Sequence, residues 1–162
     1  MTVRSWSVGA TVKGAAADTY FVSVGAARED EAVGTVAGAF MAGLRGVALM
    51  QTSGFALIGN ALGSLVVPYQ IPAILIISER GTMGEFNIGQ TLVARTMRPM
   101  LDALGIMHHT LADLATLRFI LDRSIKQALT TQAPVALILS PLLTGGNPAA
   151  SAQLISPEGP RA

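Results

Sequence analysis

The chain has 162 residues, of which 51% are apolar and only 13% are charged, and its formal net charge is +1. This length predicts a single domain, and the near-neutral charge with few aromatic residues argues against a nucleic-acid binder. The chain has no cysteine, which excludes disulfides and thiolate chemistry and agrees with a cytoplasmic protein.

A long uncharged stretch, residues 46–78, raises the question of a membrane span. Polar residues and prolines interrupt it, so no run approaches the roughly 18 apolar residues of a spanning helix. No apolar segment follows Arg4, so we expect no signal peptide. Typical domains carry about 25% charged residues, and the shortfall here predicts that other subunits cover part of the surface.

Short apolar runs alternate with helical patterns along the chain. The predicted strands are 20–24, 47–50, 73–77 and 135–139, and the predicted helices are 29–44, 55–65, 98–104 and 117–129. This alternation predicts an α/β fold with an open, mostly parallel sheet and helices on both faces. We expect one domain over residues 1–143 and an irregular tail over residues 144–162.

Polar residues follow three of the predicted strands. They are Arg28-Glu-Asp-Glu31, Gln51-Thr-Ser-Gly54 and Ser78-Glu-Arg-Gly81. Each has a plain structural explanation, since acidic residues favour the first turn of a helix and Thr52 or Ser53 can cap one. The carboxyl ends of parallel strands are also where such sheets bind ligands. Three polar strand ends together therefore predict a binding site.

Two adjacent histidines, His108 and His109, lie where another strand is expected to begin. Neighbouring residues on a strand point to opposite faces, so the pair cannot simply bind one metal ion. We interpret them as structural.

The segment 28–40 resembles the pyrimidine-binding domain of thiamine diphosphate enzymes. In that family a catalytic glutamate is followed nine residues later by a glycine and an aromatic residue, and here Glu29 is followed by Gly38 and Phe40. The segments 49–65, 69–81 and 95–104 resemble sulfopyruvate and phosphonopyruvate decarboxylases. The resemblance covers about residues 20–140.

The resemblance implies roles for individual residues. Glu29 would hydrogen-bond the aminopyrimidine of thiamine diphosphate, promoting loss of the thiazolium C2 proton and attack on a 2-oxo acid. Asp30 and Glu31 would play no part. The other implied contacts are Gln51, Thr52, Ser53 and Gly54 to the cofactor, and Arg80, Gln51 and Arg95 to a small anionic substrate. Arg80 could instead form a salt bridge with Glu79 or Glu85.

The resemblance also implies a partner. In this family a Gly-Asp-Gly motif and a later Asn hold the diphosphate through Mg²⁺, and this chain contains no Gly-Asp-Gly. We therefore expect a hetero-oligomer in which a β subunit holds the diphosphate and Mg²⁺. Two departures affect the expected pocket: the first strand and its loop before Tyr20 are missing, replaced or truncated, and Thr52 stands where the family has Asn.

Two other functions stay open on the same scaffold. The first is a thiamine diphosphate-dependent carboligase or lyase subunit, because protonation and carboligation of the intermediate depend on the shape of the pocket. The second is a non-catalytic subunit that kept the fold.

Overall fold

A computed structural model describes residues 9–85 and 87–144, and it contains one sheet of four parallel strands. The strands are β1 (Val47–Gln51), β2 (Ile74–Ser78), β3 (Met107–Leu111) and β4 (Val135–Leu139), in the spatial order β1-β2-β4-β3. The predicted open, parallel α/β fold is confirmed. The three continuous apolar runs predicted as strands lie in β1, β2 and β4.

Seven helices and one π-helical turn connect the strands in the described ranges. They are α1 (Gly9–Ala17), α2 (Glu29–Met41), α3 (Thr52–Leu57), α4 (Gly59–Ala61), the π-helical turn Leu62–Val66, α5 (Gly89–Ala103), α6 (Leu114–Thr131) and α7 (Pro141–Thr144). None of the helices in these ranges is long and apolar enough to cross a membrane. The tail predicted over residues 144–162 begins with Thr144, the last residue of α7, and the rest of it lies outside the described residues. Residues 1–8 also lie outside them.

All four predicted helices have different bounds in the structure: the helix predicted at 29–44 is α2, which ends at Met41, and two others differ more. The helix predicted at 98–104 is the end of the longer α5, which carries Pro99 in its interior and has the weak helix formers Gly89 and Thr91 in its first turn. The helix predicted at 55–65 begins at Thr52 and divides into α3, α4 and the π-helical turn. The clearest prediction, 117–129, lies inside α6, where the Asp113 side chain accepts the Ala115 N–H.

The strand predicted at 20–24 is wrong. These residues form a turn and irregular backbone, and Tyr20 is 86% exposed. Their β-branched and aromatic composition fits a strand, but β-propensity takes effect only against a neighbouring strand. Among the described residues only Gly25, just after this segment, forms an isolated bridge, and residues 20–24 themselves join no ladder.

The core has two layers, one on each face of the sheet. On one face Met50, Leu75 and Ile138 pack with α2, α3 and α5, whereas on the other Leu137 and Leu139 pack with α6. Alternate residues of each strand therefore enter opposite layers. The prediction of helices on both faces is confirmed.

The two-layer core places three chain segments at the carboxyl edge of the sheet. Gln51 and Ser78 are the last paired residues of β1 and β2, and Ser78 also pairs with Leu139, the last residue of β4. Helix α2 precedes β1 and packs against it, so its first residue, Glu29, lies at this same edge. The three polar segments that the sequence singled out, 28–31, 51–54 and 78–81, therefore all lie at this edge of the sheet.

Candidate functional site

Glu29 is the first residue of α2, and its side chain points into the protein. Only 8% of Glu29 is exposed, although it is charged and lies at a helix end. Within the described part of the chain, its carboxylate has no hydrogen-bond partner. Part of this carboxylate still reaches the surface, so a ligand at the carboxyl edge of the sheet can contact it.

Gly54 lies directly against the Glu29 side chain. A Cβ atom built on Gly54 would lie 2.6 Å from both Cγ and Cδ of Glu29, and closer still to Oε1. The missing side chain of Gly54 therefore makes the space that the Glu29 carboxylate occupies. A contact of Gly54 with the cofactor stays a prediction, and the contact found is with Glu29.

The residues beside Glu29 stabilise the start of α2. The Arg28 guanidinium donates to both oxygens of Asp30 at 3.0 Å, which lowers the pKa of that carboxyl. The Glu31 carboxylate accepts the Arg28 backbone N–H at 3.4 Å, as a capping residue does. Asp30 and Glu31 thus have structural contacts at the surface, and only Glu29 points inward.

Thr52 is completely buried at the junction of β1 and α3. Its hydroxyl donates to the Ser78 carbonyl at 3.1 Å and accepts the Arg80 N–H at 2.8 Å. These bonds join the end of β1 to the end of β2. A direct contact of Thr52 with a cofactor stays a prediction, and the contacts found are structural.

Arg80 forms an ion pair with Glu85, one of the two partners that the sequence left open. Its Nε and Nη2 donate to the two carboxylate oxygens at 2.7 and 2.9 Å. Glu85 also accepts the backbone N–H groups of Gly81 and Asn87, and this set of donors lowers its pKa to about 2. The guanidinium is thereby fixed, and among the described residues its Nη1 has no partner.

A second ion pair lies at the same edge. The Glu79 carboxylate, which is buried, binds Nη1 of Arg98, whose Nη2 donates to Thr110 Oγ1 at 3.2 Å. Sequence reasoning did not assign this pair. The pair could have been predicted from the alternation of side chains along β2. Glu79 follows Ile77 by two residues, so it faces the same side of the sheet as Ile77, where α5 carries Arg98.

Three predicted contacts are not joined to this set by any hydrogen bond in the described ranges. Gln51 is half-buried and shares the sheet face of Leu49, opposite the layer that contains α2 and α3. Ser53 is half-buried, and Arg95 is exposed on α5. The roles of these three residues stay predictions. The structure does bring Glu29 against Gly54, and Thr52 against the backbone of Arg80.

The two histidines have separate structural partners, in agreement with their interpretation. His108 Nε2 lies 3.1 Å from Asp102 Oδ1, and His109 Nε2 lies 3.0 Å from Gln127 Oε1. One partner belongs to α5 and the other to α6, which cover opposite faces of the sheet.

The fold and these contacts define a parallel α/β domain with a polar site at the carboxyl edge of its sheet. Over 123 residues the chain is 37% identical to sulfopyruvate decarboxylase subunit alpha of Methanothermobacter thermautotrophicus, covering 76% of this chain and 74% of the relative. The chain therefore belongs to the family of sulfopyruvate decarboxylase α subunits, as the resemblance predicted.

Other relatives agree with this assignment. The α subunit of Methanocaldococcus jannaschii sulfopyruvate decarboxylase is 40% identical over 89 residues, which are 55% of this chain and 53% of the relative. Phosphonopyruvate decarboxylase of Streptomyces viridochromogenes is 40% identical over 76 residues, which are 46% of this chain but only 19% of that longer protein. No protein-family model matches the chain.

Proposed function

We propose that this chain is the α subunit of a thiamine diphosphate-dependent decarboxylase that acts on sulfopyruvate or a similar 2-oxo acid with a second anionic group. The observation that carries the proposal is the Glu29 carboxylate, which is buried without a described partner at the carboxyl edge of the sheet. The relatives named decarboxylases support the reaction class.

The Glu29 site fits the aminopyrimidine of thiamine diphosphate. A ring nitrogen that gains and loses a proton needs a carboxyl group able to share it, and Glu29 is the carboxyl group that the start of α2 turns inward. When bound, the cofactor supplies the electron sink for loss of CO₂. This chain would contribute Glu29 to hold the proton and the Gly54 backbone to keep the carboxylate in place.

The diphosphate and Mg²⁺ are assigned to a partner subunit. The described residues contain no group of three His, Cys, Asp or Glu side chains that could hold a metal ion, and the sequence lacks Gly-Asp-Gly. Relatives named as α subunits support a two-subunit enzyme.

The split site predicts that cofactor binding depends on the partner. Calorimetric titration of this chain with thiamine diphosphate and Mg²⁺ should show no tight binding, because the diphosphate and metal contacts are proposed to lie on the β subunit. Adding the β subunit should produce a micromolar or tighter site. A micromolar site on this chain alone would refute the split-site arrangement.

Arg80 is proposed to bind the second anion of the substrate through Nη1, since Glu85 occupies the other side of its planar fork. Arg80→Ala should raise the KM for sulfopyruvate at least tenfold, which corresponds to about 1.4 kcal/mol. The KM for pyruvate, which lacks that anion, should hardly change.

Glu85→Gln is the matched control, because it weakens the same ion pair but leaves the guanidinium. It should raise the KM for sulfopyruvate less than Arg80→Ala does, because the guanidinium is still present although its support is weakened, and it should leave the KM for pyruvate nearly unchanged. If Arg80→Ala reduced activity equally on both substrates, Arg80 would be part of a structural ion pair and not of the substrate site.

A further inference from the structure

The β1–β2 ladder has an unusual end. Backbone pairing stops at Gln51 and Ser78, because the chain turns into α3 at Thr52. The Glu79 N–H continues the ladder on the other side by donating to the Leu139 carbonyl at 2.9 Å. Backbone groups alternate in direction along a strand, so the Ser78 carbonyl and the Arg80 N–H both point toward the β1 side.

The Thr52 hydroxyl satisfies both of these groups. In a regular parallel ladder, the backbone N–H and C=O of a residue at position 52 would pair with the Ser78 carbonyl and the Arg80 N–H. Thr52 makes both contacts with Oγ1 alone, at 3.1 and 2.8 Å, while its backbone starts α3. One hydroxyl, acting as both donor and acceptor, therefore replaces the two backbone hydrogen bonds that a strand residue would make here.

We propose that Thr52 is a positioning residue for substrate selection, since its hydroxyl fixes the Arg80 backbone against the first turn of α3. This inference rests on the proposed function. The first turn of α3 carries Gly54, which lies against Glu29. The hydroxyl therefore sets the spacing between the segment that holds the proton-sharing carboxylate and the segment that carries the substrate's anion site.

Arg80 is consequently held at both ends. Thr52 fixes its backbone N–H, and Glu85 fixes its guanidinium with two further hydrogen bonds. Loss of the hydroxyl removes the described partner of the Arg80 N–H and one partner of the Ser78 carbonyl, so the chain after β2 is expected to shift. A shift of this segment displaces Nη1 from the place where a second anion would bind.

The test compares variants of the assembled two-subunit enzyme. Thr52→Val keeps the side-chain shape and removes the hydroxyl, Thr52→Ala removes it in a smaller side chain, and Thr52→Ser retains it. Val135→Ala provides a control for general destabilisation, because Val135 is completely buried at the amino-terminal end of β4. The readout is selectivity, the kcat/KM for sulfopyruvate divided by that for pyruvate.

Thr52→Val and Thr52→Ala should lower the selectivity at least tenfold, mainly through the KM for sulfopyruvate. Thr52→Ser and Val135→Ala should stay within about threefold of the wild type. Unchanged selectivity in both hydroxyl-free variants, or an equal loss in Thr52→Ser, would overturn the proposal.

Amide hydrogen exchange separates this inference from the proposed function. In Thr52→Val, a peptide covering residues 79–81 should exchange at least tenfold faster than in the wild type, whatever reaction the enzyme performs. If the wild type decarboxylates neither substrate, the proposed function fails, and the exchange rate still tests the hydroxyl contact. Wild-type protection in Thr52→Val would then refute the positioning role.

Discussion

Glu29→Gln is expected to lower the decarboxylation rate of the assembled enzyme by about 10²–10⁴-fold or more, the usual range for loss of a group that transfers a proton. Glutamine keeps the size of the side chain but cannot share a proton with a ring nitrogen. Exchange of the cofactor's C2 proton, followed by deuterium labelling and NMR, should stop, while assembly with the β subunit should be unchanged.

Glu31→Gln is the matched control, because Glu31 lies two residues further along the same helix and its carboxylate accepts the Arg28 N–H at the surface. Its effect should be small, since a neutral amide can still accept the Arg28 N–H. Wild-type exchange of the C2 proton in Glu29→Gln would remove Glu29 from the proposed role.

Gly54→Ala is expected to reduce kcat at least tenfold while the chain still folds. The added methyl group would occupy the space of the Glu29 side chain, 2.6 Å from its Cγ and Cδ, so the carboxylate must leave its place. A misplacement of about 1 Å in a catalytic arrangement can cost about 10²-fold in rate. The rate of C2-proton exchange and the thermal melting temperature should be measured together.

Gly34→Ala separates displacement of Glu29 from the general effect of alanine in a helix. Gly34 lies in α2 with open space around its Cα, so the same substitution should stabilise the helix by about 0.5–1 kcal/mol and leave kcat unchanged. If Gly54→Ala retained wild-type kcat, the packing of Gly54 would not determine the position of Glu29.

The sequence predicted those parts of the fold that local patterns determine. The apolar runs of β1, β2 and β4 are buried on both faces, so their composition alone identifies them as strands of a parallel sheet. Residues 20–24 have an equally strong local preference, but a strand also needs a neighbour, and local composition carries no information about one. That prediction failed for this reason.

The candidate site was predictable as a location but not as a set of contacts. Strand ends place Thr52 and Arg80 on one edge of the sheet, and that placement follows from the parallel topology. Glu29 lies there for a different reason, because the strand predicted before it does not form and α2 packs against β1 with its first residue at this edge. The contact of Glu29 with Gly54 joins residues 25 positions apart, and the choice between Glu79 and Glu85 as partner of Arg80 depends on the path of a loop. The periodicity of the sequence predicts neither the Glu29–Gly54 contact nor the ion-pair partner of Arg80.

Release of CO₂ from sulfopyruvate by purified subunits tests the central claim most directly. With thiamine diphosphate and Mg²⁺ present, neither this chain nor the β subunit should release CO₂ alone, and the mixture should be active. The same mixture made with Glu29→Gln should be inactive. Equal turnover by the β subunit with and without this chain, or wild-type turnover by the Glu29→Gln mixture, would contradict the proposed function.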